Sequence, residues 1–595
     1  MINPQDLKKN PYGVADFNDF PKRNFYYVDK TRFIRNIEEK GKFLFLIRPR
    51  RFGKTLLLST IEAYYDFTNK NAFDYFFTGT DIHKNPTGEK NQYMILKLNF
   101  SMVNADPSKV VNSFLAYIQE IASDFVKKYE FLLNIDTNKA TSELLSRETA
   151  SDVLMTLLSY CKRKEQRIYV IIDEYDNFAN TILADSGEKN YIAITRGEGF
   201  LRSFFNVLKG GTSDANSPIS RLFMTGVSPI TLDDVTSGFN IAMNISLHSD
   251  VNEILGFTYG EVETMIDYYR QTGKIKHSNA ELIEIMSQWY NHYRFSPRSS
   301  SEIFNTSQVL YFLNEYMIDS AIPINLVDTN ARTDYNKLRQ LIIIDKQGKP
   351  ETNGNFSKLQ QIMETDTVTT TIQSSFPVKL MGNPENFYSL LFYFGLLTLT
   401  GMTPSQRAIL SIPNEFTRKL YYDYIQSIYK DIDLFKIDAD VFSNLMDEMA
   451  FKGNWEPAIG YIAGRMEASL GIRDLIDREK ALQVFWNVYL GLNSLYIVYP
   501  EKELSHGFAD LALIPLLTQY PGITHSYLIE FKYIKPSHYK RDDGENKVRM
   551  LRNEAEVQLN QYSMDERFKK HIGSTSLKKL ILIFSGNRMV HQEEI

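Results

Sequence analysis

Residues 42–65 constrain the fold more than any other stretch of the chain. A short apolar run, KFLFLIR (Lys42 to Arg48), leads through RPRRFGKT into TLLLSTIEAYYDF, whose apolar residues recur at helical spacing. Strand, loop and helix in this order suit a phosphate-binding loop, because phosphate is held by main-chain N–H groups at a helix N-terminus, where the macrodipole is positive. The loop ends in Gly53-Lys54-Thr55, as the pattern G-x-x-x-x-G-K-[ST] requires, but Arg48 stands where its first glycine belongs. A bare G-K-[ST] arises by chance in roughly one chain in three of this length, so the flanking strand and helix carry the assignment. Arg51, Phe52 and Gly53 would shape the phosphate cradle. Lys54 would reach the β- and γ-phosphates, and the Thr55 hydroxyl would ligate Mg²⁺.

A second stretch supplies what the loop lacks. RIYVIIDEYD (Arg167 to Asp176) is an apolar strand ending in Asp173-Glu174, the pattern of a Walker B strand that complements a Walker A loop. Asp173 would hold Mg²⁺ through its water shell, and Glu174 would polarise the attacking water. In RLFMTGVSPI (Arg221 to Ile230), Thr225 closes another strand and would sense the γ-phosphate; capping of the strand by Thr225 or Ser228 is the alternative. Arg294 is a candidate for reaching the nucleotide from a later helical segment, with a surface role as its alternative.

These strands belong to a larger pattern. KFLFLIR, YMILKLNF (Tyr93 to Phe100), RIYVIIDE, RLFMTG and FNIAMNISL (Phe239 to Leu247) alternate with helical segments, which predicts a mostly parallel α/β sheet covered on both faces. The reading divides the chain into a P-loop domain at 1–250, a helical lid at 251–345, a winged-helix-like connector at 346–469 and a compact α/β domain at 470–595. The connector contains a polar hinge, KQGKPETNGNF (Lys346 to Phe356), and a hairpin from LLTLTG and AILSIP beyond an apolar helix.

Composition narrows the partners. The 595 residues and 43% hydrophobic content support several cores, and a net charge of −5 gives no global pull toward nucleic acid, so contact with it would use a local basic surface. A single cysteine, Cys161, excludes an intrachain disulfide and suits a reducing, cytoplasmic setting. The N-terminus lacks an apolar leader segment, and the most apolar run, Phe387 to Met402, is short for a membrane span and reads as core.

In this order YYVDKTRFI, RPRRFGKT, VIIDEYD, FMTGVSP, GFTYGEV, WYNHYRF and LSIPNEF resemble the AAA-ATPase-like family that is commonly fused to a C-terminal PD-(D/E)XK nuclease domain. The resemblance covers most of the chain and accounts for Arg48, since that family's own loop is similar to RPRRFGK[ST]. It implies an AAA-like P-loop domain that binds ATP and Mg²⁺ and a nucleic-acid partner, DNA before RNA; separately, no membrane partner is expected, and a homo-oligomer is an open expectation.

The C-terminal segment has its own constellation. GFAD (Gly507 to Asp510) opens one strand, and alternation in the next puts Glu530 and Lys532 on one face. If the strands pair, Asp510 joins them, and two carboxylates can bind Mg²⁺ or Mn²⁺ while Lys532 activates water and offsets transition-state charge. D-x(n)-E-x-K is the core of PD-(D/E)XK nucleases. Gln558 and Tyr562 are similar to the Q-x-x-x-Y of that group, and Glu479 stands in the preceding helix where such folds often carry a further acid. Glu501 and Glu503 precede GFAD. Phe508 departs from the family, which often has arginine there. The basic residues between Lys532 and Arg552 suit a nucleic-acid backbone. The reading is an ATP-dependent DNA nuclease; its alternative is a non-catalytic ATP switch whose nuclease-like domain only binds nucleic acid or a partner.

Overall fold

The computed structural model describes residues 7–212, 217–236, 241–328, 330, 354–431, 437–468, 479–493, 495–504, 507–517, 519–539 and 544–595. Contacts divide the chain into two units, one of Met1–Ala321, Asn325–Ile344 and Thr369–Asn414, the other of Ile322–Ile324, Asp345–Val368 and Glu415–Ile595. The expected hinge at Lys346 to Phe356 lies outside the described residues up to 353, and a helix, Gly354–Thr365, begins there.

The first unit is built on five parallel strands, β1 (Phe43–Ile47), β2 (Met94–Asn99), β3 (Ile168–Asp173), β4 (Ile219–Gly226) and β5 (Met243–Asn244), in the order β2-β3-β4-β1-β5. All six residues of β3 are buried, because helices cover both faces. This order sets β4 between the strand that enters the loop and the strand that ends in Asp173, with Leu46 beside Thr225 and Ile172 beside Met224. The ends of β1, β3 and β4 therefore converge.

The fifth strand is shorter than the run FNIAMNISL predicts. Only Met243 and Asn244 pair with β1, and Phe239 and Asn240 lie outside the described residues. After one further main-chain bond, from the Ile245 N–H to the Phe45 carbonyl at 3.1 Å, side chains take over: Asn244 Oδ1 accepts the Ser246 N–H at 2.9 Å, and Ser246 Oγ accepts the Ile47 N–H at 2.8 Å. Helices Tyr259–Arg270, Asn279–Tyr290 and Thr306–Asp319 follow, the first two opened by complete capping boxes at Thr258/Glu261 and Ser278/Glu281. The apolar run at 387–402 folds as the end of helix Pro384–Tyr393 and a strand, β6 (Thr398–Met402), which pairs antiparallel with β7 (Ala408–Ser411). Among the described residues no helix is long and apolar enough to cross a membrane.

The second unit contains β8 (Tyr496–Leu504), β9 (Gly507–Pro515), β10 (His525–Ile534), β11 (Ser576–Ser585) and β12 (Arg588–Glu594), in the order β12-β11-β10-β9-β8. Strands β10 and β11 run parallel and the other pairs antiparallel. The parallel crossover is supplied by helix Gly544–Tyr562, whose Ala555, Leu559 and Tyr562 pack on Ala512, Leu528 and Ile581. Helix Glu479–Leu490 packs through Trp486, whose ring lies 5.7 Å from both Phe531 and Phe584. Two facts position the site here: each strand alternates between the two helices, and the β9/β10 ladder ends at Leu511 opposite Ile529.

Candidate active sites

The loop between β1 and helix Lys54–Tyr65 turns through two left-handed residues, Arg51 (φ 69°) and Gly53 (φ 95°). Glycine costs nothing in this region, whereas Arg51 needs outside support. That support comes from main-chain and side-chain contacts with later segments. The Arg51 carbonyl accepts the Ser307 N–H at 3.2 Å, and the Phe52 carbonyl accepts Gly256 N–H at 3.3 Å and Thr306 Oγ1 at 3.2 Å. The Phe52 ring is buried edge-on against Tyr293 and Phe295, at 4.9 and 5.5 Å.

Arg48 points away from the phosphate cradle. Its guanidinium is 1% exposed and donates to the carbonyls of Ile47 (2.9 Å), Ser246 (2.7 Å) and Val251 (3.1 Å), with Phe295 stacked at 4.2 Å. Burial disfavours its charge; the carbonyl dipoles and the ring face offset that cost. Lys54 is also buried, and its Nζ donates to the carbonyls of Arg48 (3.0 Å) and Pro49 (2.8 Å). Burial pushes Lys54 down to about 8, against the pull of Glu174, Asp173 and Asp176.

Asp173 is the hub of the site. It is 1% exposed, and its Oδ2 accepts Thr55 Oγ1 at 2.7 Å while Oδ1 accepts Thr225 Oγ1 at 2.9 Å and the Glu174 N–H at 3.0 Å. A buried carboxylate facing two hydroxyls at a helix N-terminus is a donor set that suits hydrated Mg²⁺, so Thr55 and Asp173 fit the ion. Glu174 stands in left-handed backbone (φ 49°), and its Oε2 accepts Asn177 Nδ2 at 2.5 Å. Thr225 is thus brought to Asp173, and Ser228 caps the next turn by accepting the Ile230 N–H at 3.2 Å.

Two residues that the sequence reading left unassigned tie the ends of β3 and β4 together. Asp176 accepts the N–H groups of Val227 (3.1 Å) and Ser228 (2.6 Å), and Tyr175 donates its hydroxyl to the Ser228 carbonyl at 2.5 Å. Burial, the largest effect, pushes Asp176 up to about 6. The signal was present in the second aspartate of DEYD, three residues beyond the first.

A cavity of about 550 Å³ opens in front of the loop, and its lining includes the charged and polar Lys54, Thr55 and Glu174 as well as the larger, mostly apolar Tyr27, Leu255 and Met265. Its size and mixed lining suit a small polar ligand such as a nucleotide. Arg50 and Arg51 also line it. Arg294 is engaged with the hairpin instead, its N–H donating to Thr398 Oγ1 at 2.8 Å and its Nε to the Leu399 carbonyl at 2.9 Å.

In the second unit, the parting of β9 and β10 creates the other site. Beyond the last ladder pair the Phe531 N–H is taken by the Asp510 side chain, at 2.8 Å from Oδ2. Glu530 is 2% exposed and accepts Lys532 Nζ at 2.8 Å. Tyr562 senses all three: burial and then Glu530 raise its phenol, with Asp510 and Lys532 acting more weakly. Gln558 makes a long contact of 3.5 Å to the Tyr562 hydroxyl. The structure therefore gathers Asp510, Glu530, Lys532, Gln558 and Tyr562. Glu479 opens its helix, and Glu501, Glu503 and Phe508 lie in β8 and β9, but their side chains fall outside the described residues.

Among the described residues no group of three acidic, histidine or cysteine side chains assembles a metal site. Two carboxylates suffice for Mg²⁺, which keeps several waters and takes only one or two protein carboxylates, so Asp510 and Glu530 fit such an ion. The basic stretch behaves less uniformly than its composition suggests. Lys540 and Arg541 lie outside the described residues, and Arg552 forms a bidentate pair with Glu593 at 2.8 Å for both contacts, holding that carboxyl down at about 2. Its charge is directed to a carboxylate of β12.

Residues 11–236 match a family model described as "Predicted AAA-ATPase", and residues 477–594 match one described as "PD-(D/E)XK nuclease superfamily". The chain carries an AAA-ATPase-like domain followed by a PD-(D/E)XK nuclease superfamily domain. An uncharacterized protein in the vnfD 5′ region of Azotobacter chroococcum mcd 1 is 25% identical over 346 residues, which are 57% of this chain and 59% of that protein. Among solved structures, the Aeropyrum pernix ORC2 protein in ADPNP–ADP complexes is 12% identical, covers 68% of this chain and 93% of its own, and gives a TM-score of 0.31. The ORC1 protein of the same organism in complex with DNA is 10% identical, covers 73% and 97%, and gives 0.24. Scores this low carry no argument about this chain.

The clasp between β3 and β4 generates a test. A Cβ on Gly226 would stand 2.4 Å from Tyr175 Cε1 and 2.6 Å from Asp176 Oδ1. Gly226→Ala should displace Glu174 and lower ATP hydrolysis by about 10²-fold, the usual effect of a 1 Å misplacement, with much less effect on nucleotide binding. Hydrolysis at the parent rate would show that the clasp does not position Glu174.

Proposed function

We propose that this chain is an ATP-dependent nuclease that cleaves DNA with a divalent metal. The observation that carries the reading is the presence in one chain of two assembled groups, Thr55–Asp173–Thr225 with Lys54 and Glu174, and Asp510–Glu530–Lys532. In the first group Lys54 would leave the loop carbonyls to meet the β- and γ-phosphates, and Thr55 and Asp173 would hold Mg²⁺. Bound Mg²⁺ offsets phosphate charge. Glu174 accepts a proton from the attacking water as its oxygen bonds to the γ-phosphorus and the bond to the bridging oxygen breaks, and Thr225 orients Asp173 and the γ-phosphate. Arg51, Phe52 and Gly53 shape the cradle.

In the second group Asp510 and Glu530 would hold Mg²⁺ or Mn²⁺, and the ion would supply Lewis-acid polarisation of the scissile phosphate. Lys532 orients the attacking water and offsets the charge that develops on the phosphorus oxygens, while Gln558 and Tyr562 support the metal-bearing strand and Glu479 adds an acid from the neighbouring helix. Nucleotide binding gates this cleavage by biasing a helical lid at 251–345, between a P-loop domain at 1–250 and a connector at 346–469 that leads to the nuclease at 470–595. A cytoplasmic role in defence against foreign DNA or in mobile-element biology, with assembly of several copies, completes the proposal.

The burial of Lys54 gives a pH dependence. Its folded pKa of about 8 lies below the ordinary 10.5, so the lysine of the ligand-free loop is charged below pH 8 and loses its proton above it. Phosphate needs the charged form, so binding above pH 8 must take up a proton and should weaken by up to about tenfold per pH unit. Calorimetric ATP titrations at pH 7 and 9 in two buffers check this, and affinity that is flat across the range contradicts it.

Cleavage is tested with the purified chain on supercoiled, linear and single-stranded DNA, with and without ATP, in Mg²⁺ or Mn²⁺. Lys532→Ala should keep DNA and metal binding and lose about 10²-fold in cleavage, because its charge acts mainly in the transition state. Glu174→Gln should bind ATP and fail to hydrolyse it. Unchanged cleavage in Lys532→Ala removes the nuclease assignment, and the remaining reading is an ATP switch that binds without cutting.

A further inference from the structure

We propose that Gln483 is a positioning residue of the second site, where its side-chain amide fixes the Asp510 carboxylate in the orientation a divalent cation requires. The inference rests on the nuclease reading above. Asp510 stands where β9 and β10 part, so its neighbours across the strand gap no longer hold it through the ladder. One anchor, the Phe531 N–H on Oδ2 at 2.8 Å, leaves the carboxylate able to swing about that single contact. The second anchor is Gln483 Nε2 on Oδ1 at 2.9 Å, from a side chain only 7% exposed.

The two anchors are mechanically joined. Gln483 belongs to helix Glu479–Leu490, and Trp486 of that helix packs on the ring of Phe531, the residue whose N–H supplies the first anchor. A shift of the helix therefore moves both donors together. The chemistry of the second donor also matters. An amide donor is neutral, so it orients the Asp510 carboxylate without itself adding a positive charge against the cation. Partners that orient metal-binding carboxylates in this way are typically worth about 10- to 100-fold in metal affinity or activity.

Gln483→Met keeps the length and volume of the side chain and removes the donor. Mn²⁺ titration calorimetry on the full chain should show affinity weakened by about 10-fold or more, with an unchanged melting temperature, and cleavage lost at limiting Mn²⁺ should return at high Mn²⁺. Gln483→Asn, one methylene too short to reach, serves if the first variant fails to fold and should show the same loss. Parent-like Mn²⁺ affinity in these variants, alongside its loss in Asp510→Asn, overturns the proposal. If the parent chain binds Mn²⁺ but cuts no DNA, the nuclease reading fails while the affinity comparison still decides the role of Gln483. A parent chain that takes up no Mn²⁺ overturns both.

Discussion

The Arg48 guanidinium, held by three main-chain carbonyls and the face of Phe295, is the contact on which the first site depends. A phosphate loop is ordinarily compact because glycine lets its backbone turn freely. Here the loop instead carries large side chains on its back surface, Arg48, Pro49 and Phe52, and each is packed against a later segment. Gly395 permits one of these approaches, since a Cβ there would lie 2.7 Å from the Pro49 ring, and its own backbone is left-handed (φ 75°). The loop is thus shaped from behind by side chains rather than by its own flexibility. That arrangement explains why RPRRF and the distant YRF of WYNHYRF belong to one pattern: Phe52, Tyr293 and Phe295 form a single aromatic cluster under Arg48.

Burial then sets the chemistry. The same packing that excludes water from Arg48 excludes it from Lys54 and Asp173, which strengthens their mutual attraction and that of Lys54 for a phosphate. The Lys54 ammonium rests on the carbonyls of Arg48 and Pro49, so the arginine strut also supplies a main-chain acceptor to Lys54. In the second unit a different device serves a similar end. Parting two strands exposes an N–H that a carboxylate can claim, and the helices on either face bring Gln483 and Tyr562 to the opening.

Much of this was legible in the chain. Buried parallel strands announce themselves as near-continuous apolar runs, so β1 to β3 fell within the expected stretches and β4 overlapped its own, beginning earlier at Ile219, and Glu530 and Lys532 share a face because a strand has period two. What was not legible depended on partners distant in sequence. Arg48 reads as a phosphate-loop anomaly until Ser246, Val251 and Phe295 are seen around it, and Asp176 reads as a solvated turn acid until Val227 and Ser228 cap it. The shortness of β5 came from Asn244 and Ser246, polar side chains that substitute for ladder bonds within an apolar-looking run. Arg552, apparently available to a phosphate backbone, is paired with an acid on a strand that the sequence did not mark.

The most direct measurement is equilibrium ATP binding by Arg48→Gly, which restores the ordinary glycine at the head of the loop. If side-chain struts hold this loop in place, the substitution removes the central one, and affinity should fall by about 10-fold or more, since losing a buried hydrogen-bonded cation costs roughly 1.5–3 kcal/mol per bond to a charged group. If the arginine is merely tolerated in an otherwise conventional loop, Arg48→Gly should bind ATP as tightly as the parent or more tightly, and that result would contradict the dependence of the phosphate site on its arginine strut.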